Sequence, residues 1–289
     1  MRVTEKIITN GVARNINSAM RRIDKRYDQL STGKRIRYPS DDPVALISSL
    51  RLNDSIKEAH RYVANSQTAI DWLQASDASL EEMDKTLLRL QEITIASANG
   101  HLPQSSLNAY ADEVHQLRGH LLQIANTQLG DRILFGGQQT DHAAYDSSYQ
   151  YLGDHNSLMM EVGPGIIMDV SYPGPVIFGD VFNLMEKLEN DIRAGNFHEV
   201  GNADLDALNE QLDQTLNNRA SIGAKVNRLE RSNERYSQLD LQFTKLLSIN
   251  EDVDIADAVM KLKMQESVYQ AALASGARVL QTTMLDHMR

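Results

Sequence analysis

The run Asp252-Val253-Asp254-Ile255-Ala256-Asp257 sets carboxylates at alternate positions, a spacing that could chelate calcium. A calcium loop also needs a glycine at its sharp turn and a distant bidentate glutamate. Neither follows, so the run reads as the solvated start of a helix. Of the eight histidines only His115 and His120 are near neighbours, five residues apart and without a Glu-x-x-His partner, so no metal site is expected. The absence of cysteine excludes disulfides, thiol nucleophiles, Cys-zinc sites and iron-sulfur clusters together. Gly163-Pro164-Gly165 is a turn, because no phosphate-loop lysine follows it. Asn53-Asp54-Ser55 is a formal glycosylation sequon inside a predicted helix and reads as accidental. No Ser, His and Asp arrangement can be nominated, and glycine is scarce where a nucleophile elbow would need it. Catalytic, cofactor-binding and metal residues are all read as none, and the chain as not an enzyme. The chemistry that remains is the association of apolar helix faces.

Those faces follow from composition and period. Hydrophobic residues make up 42% of the chain but aromatics only 6%, and Ala, Leu, Gln, Glu, Arg and Lys, the good helix formers, recur in both outer thirds. Ile56, Val63 and Ile70 stand seven apart, as do Leu73, Leu80 and Leu87; Ile222, Leu229, Tyr236 and Phe243 repeat the spacing in the second half, with Val226 and Leu247 beside them. Two long helices with matching stripes therefore pack into a discontinuous helical body. At the ends, Ile16, Met20, Ile23, Tyr27 and Leu30 alternate by four and three, and Ile255, Val259, Leu262, Glu266, Tyr269, Leu273, Gly276 and Leu280 do the same. Both stripes read as coiled-coil seams. The small residues Ala271, Ala272, Ala274, Ser275, Gly276 and Ala277 let another helix approach closely, but they bury little area. Ser40-Asp41-Asp42-Pro43 supplies capping side chains and a first-turn proline, Asn250-Glu251-Asp252 puts acids ahead of the last helix, and Gly33 is an alternative stop for the first.

Between Ile133 and Glu186 there is no Lys or Arg, while half of the sixteen glycines and three of the six prolines lie in or next to that stretch. Short apolar runs at 149–152, 158–162 and 166–170, separated by turn residues, predict strands. The fold expected is mainly α: a discontinuous long-helix bundle with paired terminal coiled-coil helices and a small inserted β-rich domain. Its divisions are an N-terminal assembly helix (1–44), the first half of the helical body (45–140), the β-rich insert (141–182), the second half of the body (183–250) and a C-terminal assembly helix (251–289). The net charge of −10 argues against a general nucleic-acid binder. Residues 1–44 hold ten Lys or Arg against five acids, so this basic arm suits an acidic protein partner. No run of eighteen apolar residues suggests membrane insertion, and residues 1–20 lack the apolar core of a secretory signal. Export, which the lack of cysteine suits, would need another machine.

The string Leu30-Ser31-Thr32-Gly33-Lys34-Arg35-Ile36, followed by Pro39-Ser40-Asp41-Asp42-Pro43-Val44-Ala45, resembles the N-terminal signature of the flagellin superfamily. Agreement continues through Leu121-Leu122-Gln123-Ile124-Ala125-Asn126-Thr127, Gly130-Asp131-Arg132-Ile133-Leu134-Phe135-Gly136-Gly137, Glu266-Ser267-Val268-Tyr269-Gln270-Ala271-Ala272-Leu273-Ala274 and Val279-Leu280-Gln281-Thr282-Thr283-Met284-Leu285. Filament flagellins typically continue with Asn-Ser-Ala and Asp-Asp-Ala-Ala-Gly. The proline version here, with Pro39 and Pro43, is similar to members at the junction of hook and filament, although Arg37-Tyr38 departs from their small polar residues.

The resemblance implies a structural subunit of the bacterial flagellum, exported without a cleaved signal through the flagellar type III pathway. It also implies partners: other copies of the chain, a second hook-associated protein beneath, flagellin above, and a cytosolic export chaperone on the C-terminal helix. Neither nucleic acid nor membrane is among them, and no cofactor is implied. A filament flagellin is the near alternative; a helical type III secretion tip or signalling adaptor is the alternative of another class. Ile16, Met20, Ile23, Tyr27, Leu30, Ile255, Val259, Leu262, Tyr269, Leu273 and Leu280 are the expected assembly residues. One isolated helix pair cannot satisfy both stripes, so the ends are expected to gain order by docking among neighbours. Head-to-tail contacts of that kind need not close and so build tubes.

Overall fold

The computed structural model describes the backbone of residues 2–287 and the side chains of residues 7 and 9–278. In chain order the elements are α1 (Arg2–Thr32), α2 (Pro43–Ser97), α3 (Gln104–Ala125), β1 (Gln128–Leu129), β2 (Arg132–Ile133), β3 (Met159–Gly163), β4 (Ile166–Asp169), α4 (Gly174–Phe178) and α5 (Val181–Ala194). A single turn, α6 (Phe197–Glu199), then runs through the π-helical turn Val200–Asp204 into α7 (Leu205–Glu251), and α8 (Ile255–His287) follows. The chain forms two compact units: a terminal unit of Met1–Lys57 with Leu239–Arg289, and a central unit of Glu58–Gln238.

The central unit owes its core to the sevenfold spacing. Leu73, Leu80 and Leu87 of α2 are wholly buried, with Leu107, Val114 and Leu121 of α3, Met185 and Leu188 of α5, and Ile222 and Leu229 of α7 in the same cluster. Each such side chain contributes roughly 1.5–3 kcal/mol. Arg219 of α7 ties α2 to α7 through Asp77 at 3.0 Å and Asp84 at 2.9 Å, and these hydrogen bonds raise its already high pKa further.

The inserted segment supplies an antiparallel hairpin, β3 against β4, with an irregularity between Glu161 and Gly163. Two of the three expected strands are present. The third, at 149–152, is reduced to a single bridge between Tyr145 and Tyr151. Its physical cause is local: the Asp146 carboxylate accepts the backbone N–H groups of Ser148 and Gln150, both at 2.8 Å, and Tyr149 takes a left-handed φ of 61°. The chain curls there instead of extending. The hairpin also shares the helices' core, since Val162, Met168 and Val170 join the same cluster as the leucines of α2. Its two strands are held by helix side chains: Asn65 Nδ2 donates to the Glu161 carbonyl at 2.8 Å, and Lys225 Nζ donates to the Asp169 carbonyl at 3.2 Å and its carboxylate at 2.6 Å. Blunting a strand edge in this way discourages pairing with a foreign strand.

The first helix ends at Thr32, not at residue 44, because Gly33 adopts a left-handed φ of 71° and a turn separates α1 from α2. The last helix starts at Ile255, not at 251. Its cap is Asp254, whose Oδ1 accepts the N–H groups of Ala256 at 2.9 Å and Asp257 at 3.1 Å.

Candidate assembly interface

Helices α1 and α8 pack on one another in the terminal unit. The seam between them uses half of each stripe expected from the sequence. On α1, Ala19 is buried and Ile16, Ile23 and Leu30 are half-buried; on α8, Ala258, Leu262 and Gly276 are buried and Tyr269 is half-buried. Gly276 marks a close approach of the two helices: a Cβ there would lie 2.8 Å from Val12 Cγ1 and 3.7 Å from Ile16 Cδ1. The other expected residues are left exposed beside the seam, with Met20 51%, Tyr27 53%, Ile255 53%, Val259 43% and Leu273 42% exposed. The Leu280 side chain lies outside the described residues.

The signature motif builds the joint where the unit's four chain segments meet. Thr32 Oγ1 donates to the Asp28 carbonyl at 2.7 Å and accepts from Lys34 N–H at 3.3 Å, which turns the chain after Leu30-Ser31. Lys34 pairs with Asp252 as an antiparallel bridge, the Val253 N–H donates to the Gly33 carbonyl at 2.9 Å, and Lys34 Nζ reaches Glu251 at 2.7 Å. The connector after α1 is thereby stitched to the connector before α8. Ile36 is buried in this joint, while Ser31, Pro39 and Ser40 stay exposed.

Asp41 and Asp42 have separate tasks. Asp41 Oδ2 accepts Arg37 N–H at 3.3 Å and Tyr38 N–H at 3.2 Å, while its Oδ1 takes Lys25 Nζ at 2.6 Å. The Lys25 hydrogen bond, aided by the backbone donors, holds the Asp41 carboxyl below its ordinary value despite some desolvation. Asp42 Oδ1 caps α2 by accepting Ala45 N–H at 3.0 Å, and Pro43 occupies the first helical position. From α7, Asn250 Nδ2 donates to the Ala45 carbonyl at 2.8 Å and to Ser49 Oγ at 2.7 Å, and Ser49 is fully buried.

The joint is polar and the unit around it has almost no core. Among the described residues its buried apolar side chains are Ala19, Ile36, Ala258 and Leu262, and two of these four are alanines. Of the twenty-five exposed large apolar side chains among the described residues, it holds sixteen, seven before Lys57 and nine after Leu239. They form several faces. Tyr27 Oη donates to Glu266 Oε1 at 3.1 Å, so the Met20–Tyr27 row of α1 and the 259–266–273 row of α8 make one flank of the pair. The Glu266 carboxyl is held low by Lys263 first and Tyr27 second. A second row on α8, Met260, Met264 and Val268, faces away from α1 and is 66%, 57% and 45% exposed. A third face combines Val44, Ile47 and Leu50 of α2, and a fourth Leu241 and Ile249 of α7.

These last three faces lie off the apolar rows expected from the sequence. The signal was present as second rows, at 260, 264, 268 and at 44, 47, 50. Elsewhere, the Asp252–Asp257 run is divided among a bridge, a cap and an Asp257–Lys261 pair at 2.6 Å. His115 and His120 turn to different helices, toward Glu189 and Glu82, both at 3.2 Å. No helix among the described residues is long and apolar enough to cross a membrane.

Residues 3–140 match the family described as the bacterial flagellin N-terminal helical region. Over 300 residues the chain is 26% identical to flagellar hook-associated protein 3 of Escherichia coli (strain K12), covering 94% of this chain and 95% of that protein. It is 23% identical to a flagellin of Bacillus subtilis (strain 168) over 299 residues, 97% of each. A solved structure assigned to the flagellar hook-associated proteins, from Vibrio parahaemolyticus, shares the fold with a TM-score of 0.68 at 24% identity, covering 73% of this chain and 99% of that one. With the signature residues gathered at one joint, residues 3–140 match the flagellin N-terminal helical region, and the likeness to hook-associated protein 3 and to flagellins runs through nearly the whole chain.

Proposed function

We propose that this chain is a non-enzymatic structural subunit at the junction between flagellar hook and filament, and that its terminal unit is the part that docks. The observation carrying the reading is the imbalance of that unit: among the described residues, sixteen exposed large apolar side chains stand around four buried apolar ones, two of them alanines. A surface so apolar marks an interaction site. Helices of 31 and 33 residues span about 45–50 Å at ~1.5 Å per residue, long enough to connect successive subunit layers. The segments 1–44 and 251–289 then serve as assembly arms, with 45–140 and 183–250 as the body and 141–182 as the insert.

The partners follow from the superfamily. Copies of the same chain flank it, a second hook-associated protein lies beneath and flagellin lies above. Delivery is through the flagellar type III channel to the cell exterior, with a cytosolic chaperone on α8 before export. The exposed Met20, Tyr27, Ile255, Val259 and Leu273 make contacts between subunits, whereas Ile16, Ile23, Leu30, Leu262 and Tyr269 hold α1 to α8 so that those contacts are presented.

Electron microscopy of a deletion strain tests the reading. Hooks without filaments, with flagellin released into the medium and filaments restored by the full chain, are expected. Loss of the filament material itself would instead assign the chain as a filament flagellin, a reading favoured by its full-length likeness to one. A chain lacking 1–44 or 251–289 that still supports filament growth would overturn the role given to the terminal unit.

A further inference from the structure

We propose that Met20, Met260 and Met264 form an oxidation-sensitive set of thioethers on the assembly surface, at which a hydroperoxide prevents docking. The inference deepens the reading above and rests on it. Among the described methionines, Met83 and Met185 are wholly buried, Met168 is 6% exposed and Met160 is half-buried, whereas Met20 is 51%, Met260 66% and Met264 57% exposed. Met159, on the hairpin of the central unit, is also open, at 60%. Met260 and Met264 stand four residues apart, so their sulfurs share one face of α8 with Val268. Met20 lies on the flank that Tyr27 joins to Glu266.

The chemistry is a two-electron transfer. The thioether sulfur attacks the terminal oxygen of the hydroperoxide, the O–O bond breaks, and an S=O bond forms. Hydrogen peroxide is reduced to water and the sulfur is oxidised to the sulfoxide. The product is polar and chiral and accepts hydrogen bonds. On an apolar face awaiting a partner helix, the new S=O group would be buried without a donor, which is costly. Met83 and Met185 escape because no oxidant reaches them, so the fold survives while the docking surface changes.

The test uses the purified full chain treated with hydrogen peroxide, with oxidation at each methionine read by peptide mass. Its incorporation at hook ends of a strain lacking the protein is then scored. Oxidation of Met20, Met260 and Met264 should come well before that of Met83, and incorporation should fall about tenfold or more, which corresponds to about 1.4 kcal/mol or more per docked subunit. A Met20→Leu, Met260→Leu, Met264→Leu chain keeps volume and apolarity. It should incorporate normally and remain competent after the same treatment, whereas Met159→Leu should give no protection. Wild-type chain that is fully oxidised at the three positions and still incorporates normally overturns the proposal, as does a triple leucine chain that loses incorporation on oxidation like wild type. Failure of the underlying reading is seen separately: a Val268→Glu, Val259→Glu chain that incorporates like wild type, without peroxide, shows that these faces do not dock.

Discussion

Gly276 of α8 lies beneath Val12 of α1 so closely that a Cβ would stand 2.8 Å from Val12 Cγ1. The glycine is therefore a spacing element of the terminal helix pair. Gly276→Val should force α1 and α8 apart at a cost of about 1–3 kcal/mol. Hydrogen exchange along α1 and α8 should accelerate while α3 and α5 of the central unit keep their protection. Unchanged exchange in α1 would show that the close approach is not a constraint.

The Asp41 turn predicts a response to acid. The Asp41 carboxyl is held below its ordinary 3.8, chiefly by the Lys25 hydrogen bond and then by the Tyr38 and Arg37 N–H groups. A lowered folded pKa means stabilisation that is complete above about 3.8 and is lost as pH falls through the folded value. Protection of the Arg37 and Tyr38 amides should fade in that acidic window. Asp41→Asn should lower it at neutral pH and remove the acid step, as amide exchange measured across the range would show.

Asn250 of α7 donates to both the Ala45 carbonyl and Ser49 Oγ. Asn250→Ala leaves Ser49 buried without that donor, and should cost roughly 1–3 kcal/mol. The loss is expected in a thermal melt of the full chain, with the earliest changes in residues 43–57. A melt superimposable on wild type would remove Asn250 from the joint.

Leu80 and Ile249 should behave in opposite ways, although both are large aliphatic residues on long helices. Leu80 is wholly buried, so Leu80→Ala should destabilise the central unit by about 2–5 kcal/mol. Ile249 is 70% exposed, so Ile249→Glu should leave the monomer's melting unchanged yet reduce incorporation into the junction. A monomer destabilised by Ile249→Glu would mean that this residue packs within its own chain.

Much of this architecture was legible in spacing. Leu73, Leu80 and Leu87 declared a buried helix face because only a repeat near 3.5 residues returns side chains to one stripe. The lack of Lys and Arg at 134–185, with its glycines and prolines, announced the inserted hairpin. The 149–152 run misled because its alternation is that of a strand, while the deciding interaction, Asp146 Oδ1 with two backbone N–H groups, is a side-chain contact that competes locally with extension.

The amino-acid order alone determined that both termini are amphipathic helices and that thiol and thiol-metal chemistry are absent, and it offered Gly33 as one of two stops for the first helix. Tertiary structure decided which half of each terminal stripe is spent on the chain itself. Ile23 and Leu262 turn into the α1–α8 seam while Met20 and Val259 face out, because an antiparallel pair buries one narrow row from each helix and both stripes are wider than that. Helical periodicity tells which residues share a face. It cannot tell how much of that face one partner covers, and the uncovered remainder is what this protein offers to its neighbours.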